Sequence, residues 1–212
     1  MSPSNFLKPL FAAACLTLGS QTSATAETAV FAGGCFWCVE SNFESVPGVS
    51  EVISGFTGGT LDNPTYEDVV TETTGHYEAV EITFDPAQVT YAKLVELFLR
   101  STDVTDAGGQ FCDRGESYRS AIFATAVQEA AAQAELDKAA ADLTKTIVTP
   151  VLPAAKFYPA DEYHQDYYKS SDIILTRFGP RQKSVAYGKY RKACGRDARV
   201  EALWGDKAEF LH

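Results

Sequence analysis

The sequence is poor in positive charge. It contains 18 Lys and Arg residues against 28 Asp and Glu residues, and its formal net charge is −10. A surface of this sign repels phosphate backbones, so we expect no nucleic-acid partner. Repeats, long linkers and blocks of one charge are also absent. With 212 residues, 45% of them hydrophobic, the chain is predicted to form one folded domain, which excludes a disordered or fibrous protein.

Long hydrophobic runs are missing as well. The apolar stretch Leu10–Leu18 is well short of the roughly 20 residues that cross a membrane, and no later segment comes close, so no membrane span is predicted. Small residues at Ala24 and Ala26 suit a signal peptidase, and residues 1–26 are therefore predicted to be a cleaved secretory signal peptide. Residues 27–212 would then form a periplasmic or secreted domain, which we expect to be a monomer.

A cysteine near the amino terminus leaves a second possibility for export. Cys15 follows three alanines and could be the acylated first residue of a lipoprotein. The apolar run before it is only a few residues long and is interrupted by Lys8 and Pro9. Cleavage after Ala26 is therefore favoured over acylation.

After that cleavage the remaining cysteines are Cys35, Cys38, Cys112 and Cys194. An even number in an oxidising compartment suggests two structural disulfides by default. A domain of 186 residues (212 minus 26) buries enough apolar surface to fold without them, so the cysteines are free for chemistry. A zinc site would need a second closely spaced cysteine pair, and nothing places His76 near His164, so no metal is predicted.

The hydrophobic patterns predict a mixed succession of strands and helices. The predicted strands are Thr28–Ala32, Val49–Phe56, Tyr77–Phe84, Ser117–Thr125 and a last one at Thr146–Leu152. The predicted helices are Cys35–Phe43, Thr90–Arg100 and the alanine-rich Ala126–Leu143. This order favours an α/β fold of the α+β kind, a two-layer sandwich with a mixed sheet, flanking helices and a ferredoxin-like core.

The most informative segment is Gly33–Glu40, in which two cysteines stand three residues apart after a predicted strand and a glycine turn. A thiol in the first turn of a helix lies among unpaired backbone N–H groups and at the positive end of the helix dipole. Both favour the thiolate, so Cys35 is a candidate nucleophile. Cys38 lies on the same helix face, close enough to form a reversible disulfide. A buried structural bridge is the alternative for this pair.

Five motifs follow one another along nearly the whole predicted domain. They are GCFWCVE at Gly34–Glu40, NPTY at Asn63–Tyr66, GHYEAV at Gly75–Val80, DRG and YRS between Asp113 and Ser120, and EYHQDY at Glu162–Tyr167. Together they resemble the peptide methionine sulfoxide reductase A family. The resemblance implies a peptide-methionine (S)-S-oxide reductase without a cofactor, acting on methionine S-sulfoxide, free or in proteins, with a thioredoxin-like reductant.

The resemblance also implies a role for each matching residue. Cys35 would attack the sulfoxide sulfur, which yields a sulfenic acid and releases methionine. Phe36 and Trp37 would form an aromatic wall around the S-methyl group of the substrate. Glu78 would be the carboxylic acid that protonates the sulfoxide oxygen. The residues expected to hydrogen-bond that oxygen or its water are Tyr66, Asp113 and Tyr118.

The family commonly has glycine where this chain has Cys38, so the thiol that resolves the sulfenic acid needs its own prediction. Cys38 ranks first because it is local to Cys35. Cys194 ranks second, since cationic neighbours would lower its pKa and the following glycine suggests a mobile loop. Cys112 is expected to be a passive thiol near the pocket, because the charge of Asp113 disfavours a thiolate.

Two other classes of protein remain open from the residues alone. An exported thiol–disulfide oxidoreductase of thioredoxin type would use the same C-x-x-C and would reduce insulin without turning over methionine sulfoxide. A non-catalytic exported binding module would be held by two permanent disulfides. The favoured hypothesis is an enzyme that repairs oxidised exported proteins and is recycled through an intramolecular disulfide.

Overall fold

The computed structural model describes residues 25–212. The predicted signal peptide, residues 1–26, lies outside this part of the chain except for its last two residues, and so does the alternative acylation site Cys15. Of the helices within residues 25–212, none combines the length and the apolar character that a membrane crossing requires.

The described chain alternates between strands and helices. The strands are β1 (Glu27–Gly33), β2 (Val49–Thr57), β3 (Tyr77–Phe84), β4 (Gly109–Gln110), β5 (Asp113–Arg114), β6 (Ser120–Ala124), β7 (Val151–Pro153), β8 (Tyr158–Pro159), β9 (Ile173–Thr176) and β10 (Gly179–Gln182). The helices are α1 (Phe36–Glu44), α2 (Tyr66–Val69), α3 (Tyr91–Arg100), α4 (Glu129–Leu143), α5 (Lys183–Cys194) and α6 (Arg196–Trp204). Short 3₁₀ turns lie at Glu116–Tyr118 and Gly205–Lys207.

A six-stranded sheet in the order β7-β6-β1-β3-β2-β8 forms the centre of the fold. Strand β1 pairs antiparallel with β3 and β6, and β2 pairs antiparallel with β3, whereas β7 joins β6 in parallel. The succession β1-α1-β2-β3-α3-β6 is the split arrangement of a ferredoxin-like core. The predicted two-layer fold with a mixed sheet and flanking helices is confirmed.

The main core contains residues of this sheet and of helices α1 and α3. Phe31 of β1 stacks on Phe98 of α3 with the ring centroids 4.9 Å apart, and neither side chain is exposed. Helix α3 starts after Thr90, whose hydroxyl accepts the N–H of Lys93 at 3.2 Å. Full burial of one such aromatic side chain stabilises the fold by roughly 1.5–3 kcal/mol. This packing fixes β1 against α3, and the turn that follows β1 carries Cys35.

Two predicted strands differ from the observed ones. The strand predicted at Thr146–Leu152 is confined to β7, because the N–H of Val148 bonds the carbonyl of Val104 and Pro150 has no N–H. It is also not the last strand. The strand predicted at Ser117–Thr125 begins only at β6, because a 3₁₀ turn precedes it.

The carboxy-terminal third of the fold was missed by the sequence patterns. Strands β8 to β10 are two to four residues long, too short to show alternation. Helices α5 and α6 are rich in charged residues, a glycine, Gly188, lies within α5, and Gly195 separates the two helices. These features hide the helical period of hydrophobic residues.

Candidate active site

All nine residues that the sequence places in the site line one cavity. Its volume is about 370 Å³, which falls in the range of roughly 300–1,000 Å³ found for small-molecule sites. The nine residues are Cys35, Phe36, Trp37, Cys38, Tyr66, Glu78, Asp113, Tyr118 and Cys194. They come from the turn before α1 and from α1, α2, β3, β5, the first 3₁₀ turn and α5, so only the tertiary fold brings them together.

Cys35 stands immediately before helix α1. Gly34 turns the chain at this point with a φ of 77°, and a Cβ there would lie 2.5 Å from the Cβ of Gln110, so the turn requires glycine. The side chain of Cys35 makes no capping hydrogen bond to the helix. Its sulfur is therefore available to a substrate close to the first backbone N–H groups of α1.

Glu78 is the buried carboxyl group of the cavity. It lies on β3 with 2% of its surface exposed, and its Oε2 accepts the N–H of Phe36 at 3.0 Å. Burial raises the pKa of Glu78 to about 8, and nearby Asp113 adds to this, against the lowering effect of the Phe36 hydrogen bond. The carboxyl group is therefore mostly protonated at neutral pH and can act as an acid beside Cys35.

Two tyrosine hydroxyls lie beside Glu78. Tyr66 begins α2, and its position is fixed by a reciprocal cap in which the Thr65 hydroxyl accepts the Asp68 N–H and the Asp68 carboxylate accepts the Thr65 N–H. Burial, followed by the charge of Glu78, raises the pKa of Tyr66 to about 12 and raises that of Tyr118 still further. Both phenols therefore keep their protons and can donate hydrogen bonds to a polar substrate oxygen.

The aromatic wall is larger than the sequence predicts. Trp37 stacks on Tyr167 with ring centroids 3.7 Å apart, and Phe36 packs against His164 at 5.2 Å. His164 also contacts Tyr66 at 4.6 Å between the ring centroids. Tyr167 and His164 belong to the EYHQDY motif, for which the resemblance implies no role in the pocket, and Tyr167 lines the cavity.

The two histidines of the motifs have separate surroundings. His76 accepts the N–H of Gly59 at 3.1 Å through Nδ1, and its Nε2 lies 2.8 Å from the carbonyl oxygen of Leu61. His164 is held by ring packing instead, and its buried Nδ1 has no hydrogen-bond partner within residues 25–212. Burial lowers the pKa of His164. Each ring therefore has surroundings typical of a packing residue.

The thiols of Cys35 and Cys38 interact, and this interaction acts on Cys35 in the direction opposite to the expected effect of the helix terminus. Their hydrogen bond, followed by burial and by the carboxyl groups of Glu78 and Asp113, raises the pKa of Cys35. The same hydrogen bond lowers the pKa of Cys38 to about 6, and buried Arg196 favours the charge there. The shared hydrogen bond and burial therefore oppose the effect of the helix terminus on Cys35, and the two opposite shifts favour the proton on Cys35 over Cys38.

Cys112 and Cys194 are joined by a disulfide with an S–S distance of 2.06 Å and a Cα–Cα distance of 5.0 Å. The expectation that Cys112 is a passive thiol is therefore wrong. The chain reversal between β4 and β5 brings Cys112 to the end of α5, where Cys194 lies. Cys35 and Cys38 are the free thiols of the described chain. The structure thus contains one disulfide at the cavity wall and one dithiol within the cavity.

Two buried arginines complete the cavity and were not predicted. Arg196 donates to the carbonyl oxygens of Gly33 at 3.2 Å and Ser101 at 3.1 Å. Arg191 forms an ion pair with Asp197 at 2.6 Å. These contacts hold α5 and α6 against the turn that carries Cys35, and they place positive charge near the dithiol. Both arginines belong to the cationic run Tyr190–Arg196, in which the sequence predicts only an effect on the pKa of Cys194.

Comparisons with known proteins agree with the geometry of this site. Residues 27–197 match the family model described as peptide methionine sulfoxide reductase. A curated relative from Caulobacter vibrioides, peptide methionine sulfoxide reductase MsrA 2, is 51% identical over 201 residues, covering 92% of this chain and 96% of the relative. The protein of the same name from Rhizobium meliloti is 50% identical over 199 residues, covering 93% of each chain.

Solved structures point the same way. Methionine sulfoxide reductase A of Corynebacterium diphtheriae is 34% identical with a TM-score of 0.60, covering 70% of this chain and 75% of that one. Mxr1 from Saccharomyces cerevisiae in its reduced form is 25% identical with a TM-score of 0.64, covering 67% and 83%.

These findings define an oxidoreductase built on a ferredoxin-like core with a dithiol in its pocket. The chain belongs to the peptide methionine sulfoxide reductase A family. The family and the enzyme class, peptide-methionine (S)-S-oxide reductase, that the five motifs predict are therefore confirmed. The two alternatives, a thioredoxin-type oxidoreductase and a non-catalytic binding module, are set aside.

Proposed function

We propose that the nine cavity residues reduce methionine S-sulfoxide, free or in proteins, in the roles that the sequence assigns to them. One observation carries this proposal. The carboxyl group of Glu78 is buried and protonated, and it accepts the backbone N–H of Phe36, the residue that follows Cys35. An acid and a nucleophile at the same cavity floor suit a substrate with adjacent oxygen and sulfur atoms. Phe36 and Trp37 provide apolar surface for its methyl group.

The chemical step uses the cavity residues as follows. The sulfoxide oxygen accepts a hydrogen bond from Tyr66 or Tyr118 and a proton from Glu78, which makes the sulfur electrophilic. Cys35 passes its proton to the Cys38 thiolate and attacks that sulfur, because the hydrogen bond between the two thiols gives the proton a path. The oxygen is transferred to Cys35 as a sulfenic acid, and methionine leaves with the two electrons that Cys35 has lost.

Cys38 is the proposed resolving thiol. It lies on the same face of α1 as Cys35, and its attack on the sulfenic acid forms the Cys35–Cys38 disulfide and releases water. A thioredoxin-like dithiol then reduces this bond by thiol–disulfide exchange.

Cys194 enters recycling only together with Cys112, to which it is bonded. Cys112 is exposed and Cys194 partly buried, and both line the cavity. In addition to the direct reduction, a second and faster route starts when the protein reductant opens this outer bridge, and the two thiols released then reduce the Cys35–Cys38 disulfide and re-form their own bond. Two electrons pass inward at each exchange.

We also propose that the enzyme acts outside the cytoplasm on oxidised exported proteins, after cleavage of residues 1–26, and that it is a monomer. The Cys112–Cys194 disulfide is in keeping with an oxidising compartment. All nine site residues in the cavity belong to one copy of the chain, which supports a monomer. Amino-terminal sequencing of the periplasmic protein should find Glu27 first. An uncleaved chain in the cytoplasm, or a mature chain starting at an acylated Cys15, would contradict this proposal.

The test of activity uses separated sulfoxide epimers with dithiothreitol as reductant, so that no partner protein is needed. We expect turnover of the S epimer, loss of this turnover in Cys35→Ser, and no turnover of the R epimer. Reduction of insulin without turnover of either epimer would contradict the proposal and restore the thioredoxin-type alternative.

A further inference from the structure

One side of the cavity mouth has a surface unlike the rest of the protein. The hairpin β9–β10 supplies Ile174, Leu175 and Arg177 to the lining of the cavity that holds Cys35. Two aliphatic side chains of this hairpin point into solvent, with Ile173 75% exposed and Leu175 84% exposed. Apolar side chains this open beside a functional cavity are typical of a surface that contacts another molecule.

The same segment carries an unusual charge. The 24 residues from Ile173 to Arg196 contain seven of the 18 Lys and Arg residues of the chain and none of its 28 Asp and Glu residues. Three of these seven cations are buried and engaged: Lys183 with Asp172, Arg191 with Asp197, and Arg196 with backbone carbonyl groups. The exposed cations of the segment are Arg177, Arg181, Lys189 and Lys192. In a protein of net charge −10, this local excess of positive charge runs against the overall field.

The exposed cations beside the hairpin are available to a partner. None of Arg177, Arg181 and Lys189 forms an ion pair with any residue of the described chain. The guanidinium of Arg177 lies over the rings of Phe178 at 5.0 Å and Tyr190 at 4.9 Å, which holds it at the cavity mouth.

The hairpin and α5 form a common surface here. The rings of Phe178 and Tyr190 pack with centroids 5.5 Å apart, and Lys189 lies 5.6 Å from the Phe178 ring. In the hairpin Arg181 pairs with Ile174, a residue that lines the cavity. We call the surface made by Ile173, Leu175, Arg177, Arg181 and Lys189 the cationic rim.

We propose that the cationic rim binds the polypeptide on either side of an oxidised methionine and selects client segments whose neighbouring residues are apolar and acidic. This inference rests on the proposed function. An extended chain advances about 3.3 Å per residue, so residues two or three positions from a sulfoxide seated at Cys35 reach the mouth of the cavity. Leu175 and Ile173 then meet apolar neighbours, while the three cations meet carboxylates that the remaining acidic surface would repel.

The test compares three substrates with dithiothreitol as reductant: a heptapeptide with central methionine S-sulfoxide flanked by Leu and Asp, the same peptide with Lys in place of Asp, and free N-acetyl-methionine sulfoxide amide. We expect kcat/KM to be about tenfold higher for the acidic than for the basic peptide at low salt. This ratio should approach one at high ionic strength, because the rim charges are exposed and screened.

Charge reversal locates the effect. Arg181→Glu and Lys189→Glu should each lower the ratio of kcat/KM for the acidic peptide to kcat/KM for the basic peptide. The expected decrease is about three- to fivefold, since exposed pairs are individually weak. The matched control is Lys145→Glu, which makes the same change of charge at an exposed position outside the cavity. The control should keep the wild-type ratio. Leu175→Ser should lower kcat/KM for both peptides relative to the free substrate and leave their ratio as it is.

The outcomes separate this inference from the proposed function. If both peptides are reduced in a Cys35-dependent way but without an acidic preference, the rim proposal fails and the function stands. If the rim variants change only the KM for a protein reductant, the rim is a docking surface for the reductant and the proposal is wrong. If none of the three substrates is reduced, the proposed function itself fails.

Discussion

Replacing Glu78 by Gln should slow the enzyme and at the same time make the protein more stable. The amide keeps the shape of the side chain and can still accept the N–H of Phe36, but it cannot supply the acidic proton. We therefore expect kcat to fall by about two to four powers of ten, while KM changes much less. Active sites that bury ionisable groups often lose stability in this way.

The gain in stability follows from the raised pKa. Folding shifts the pKa of Glu78 from 4.5 to about 8, so between these values the folded protein holds a proton that the unfolded chain has released. The stabilising effect of the neutral carboxyl group is therefore complete below pH 4.5 and is lost as the pH rises towards 8. At 1.36 kcal/mol per pH unit, this loss is about 1 kcal/mol at pH 5 and about 3 kcal/mol at pH 7. Glu78→Gln has no titrating group at this position, so its free energy of unfolding does not decrease in this way.

Urea unfolding of wild type and variant at pH 5 and pH 7 measures this difference. The free energy of unfolding of Glu78→Gln minus that of the wild type should be about 2 kcal/mol larger at pH 7 than at pH 5, which means a more stable variant at pH 7. Buried Glu40, whose pKa is also raised, is present in both proteins and cancels. The control Glu201→Gln alters an exposed carboxyl group of α6. A relative stability that is equal at both pH values, or smaller at pH 7, would refute the assignment of Glu78 as a neutral buried acid.

The remaining predictions concern the cysteines and the pH profile. Cys35→Ser should abolish reduction of methionine S-sulfoxide and keep the far-ultraviolet circular dichroism of the wild type; most of the wild-type rate in this variant would contradict the nucleophile assignment. Cys38→Ser should still release one methionine per enzyme in a single turnover, yet it should accumulate a sulfenic acid detectable by mass spectrometry and lose turnover with a thioredoxin-like reductant. Cys194→Ser should slow recycling by a protein reductant without stopping it. Loss of its disulfide to Cys112, which closes a loop across 82 residues, should cost about 4 kcal/mol of stability. A dominant Cys35–Cys194 bond in oxidised enzyme, without a Cys35–Cys38 bond, would reverse the ranking of the resolving thiols. The single-turnover rate of the wild type should decline above about pH 8 as Glu78 loses its proton, and this decline should be missing in Glu78→Gln.

Much of the fold could be predicted because its local signals agree with its tertiary structure. Strand β3 occupies the predicted residues Tyr77–Phe84, and helix α3 starts one residue after its predicted beginning, where Thr90 caps it. Both elements bury apolar residues at the period of their own secondary structure. The nine site residues could be named because the five motifs carry them, although periodicity alone would have assigned Tyr66, Tyr118 and Glu78 to ordinary surface or core.

The sequence by itself determined the family, the central β-α-β order and nine residues of the cavity, since each depends on short stretches of neighbouring residues. Only the tertiary structure decided which cysteines pair, because Cys112 and Cys194 are 82 positions apart and no local pattern encodes their approach. It also decided the directions of the two pKa shifts in the dithiol, which are upward for Cys35 and downward for Cys38. A buried group's pKa depends on the desolvation and the charges imposed by distant segments, here Glu78, Asp113 and Arg196, which meet only in the folded chain.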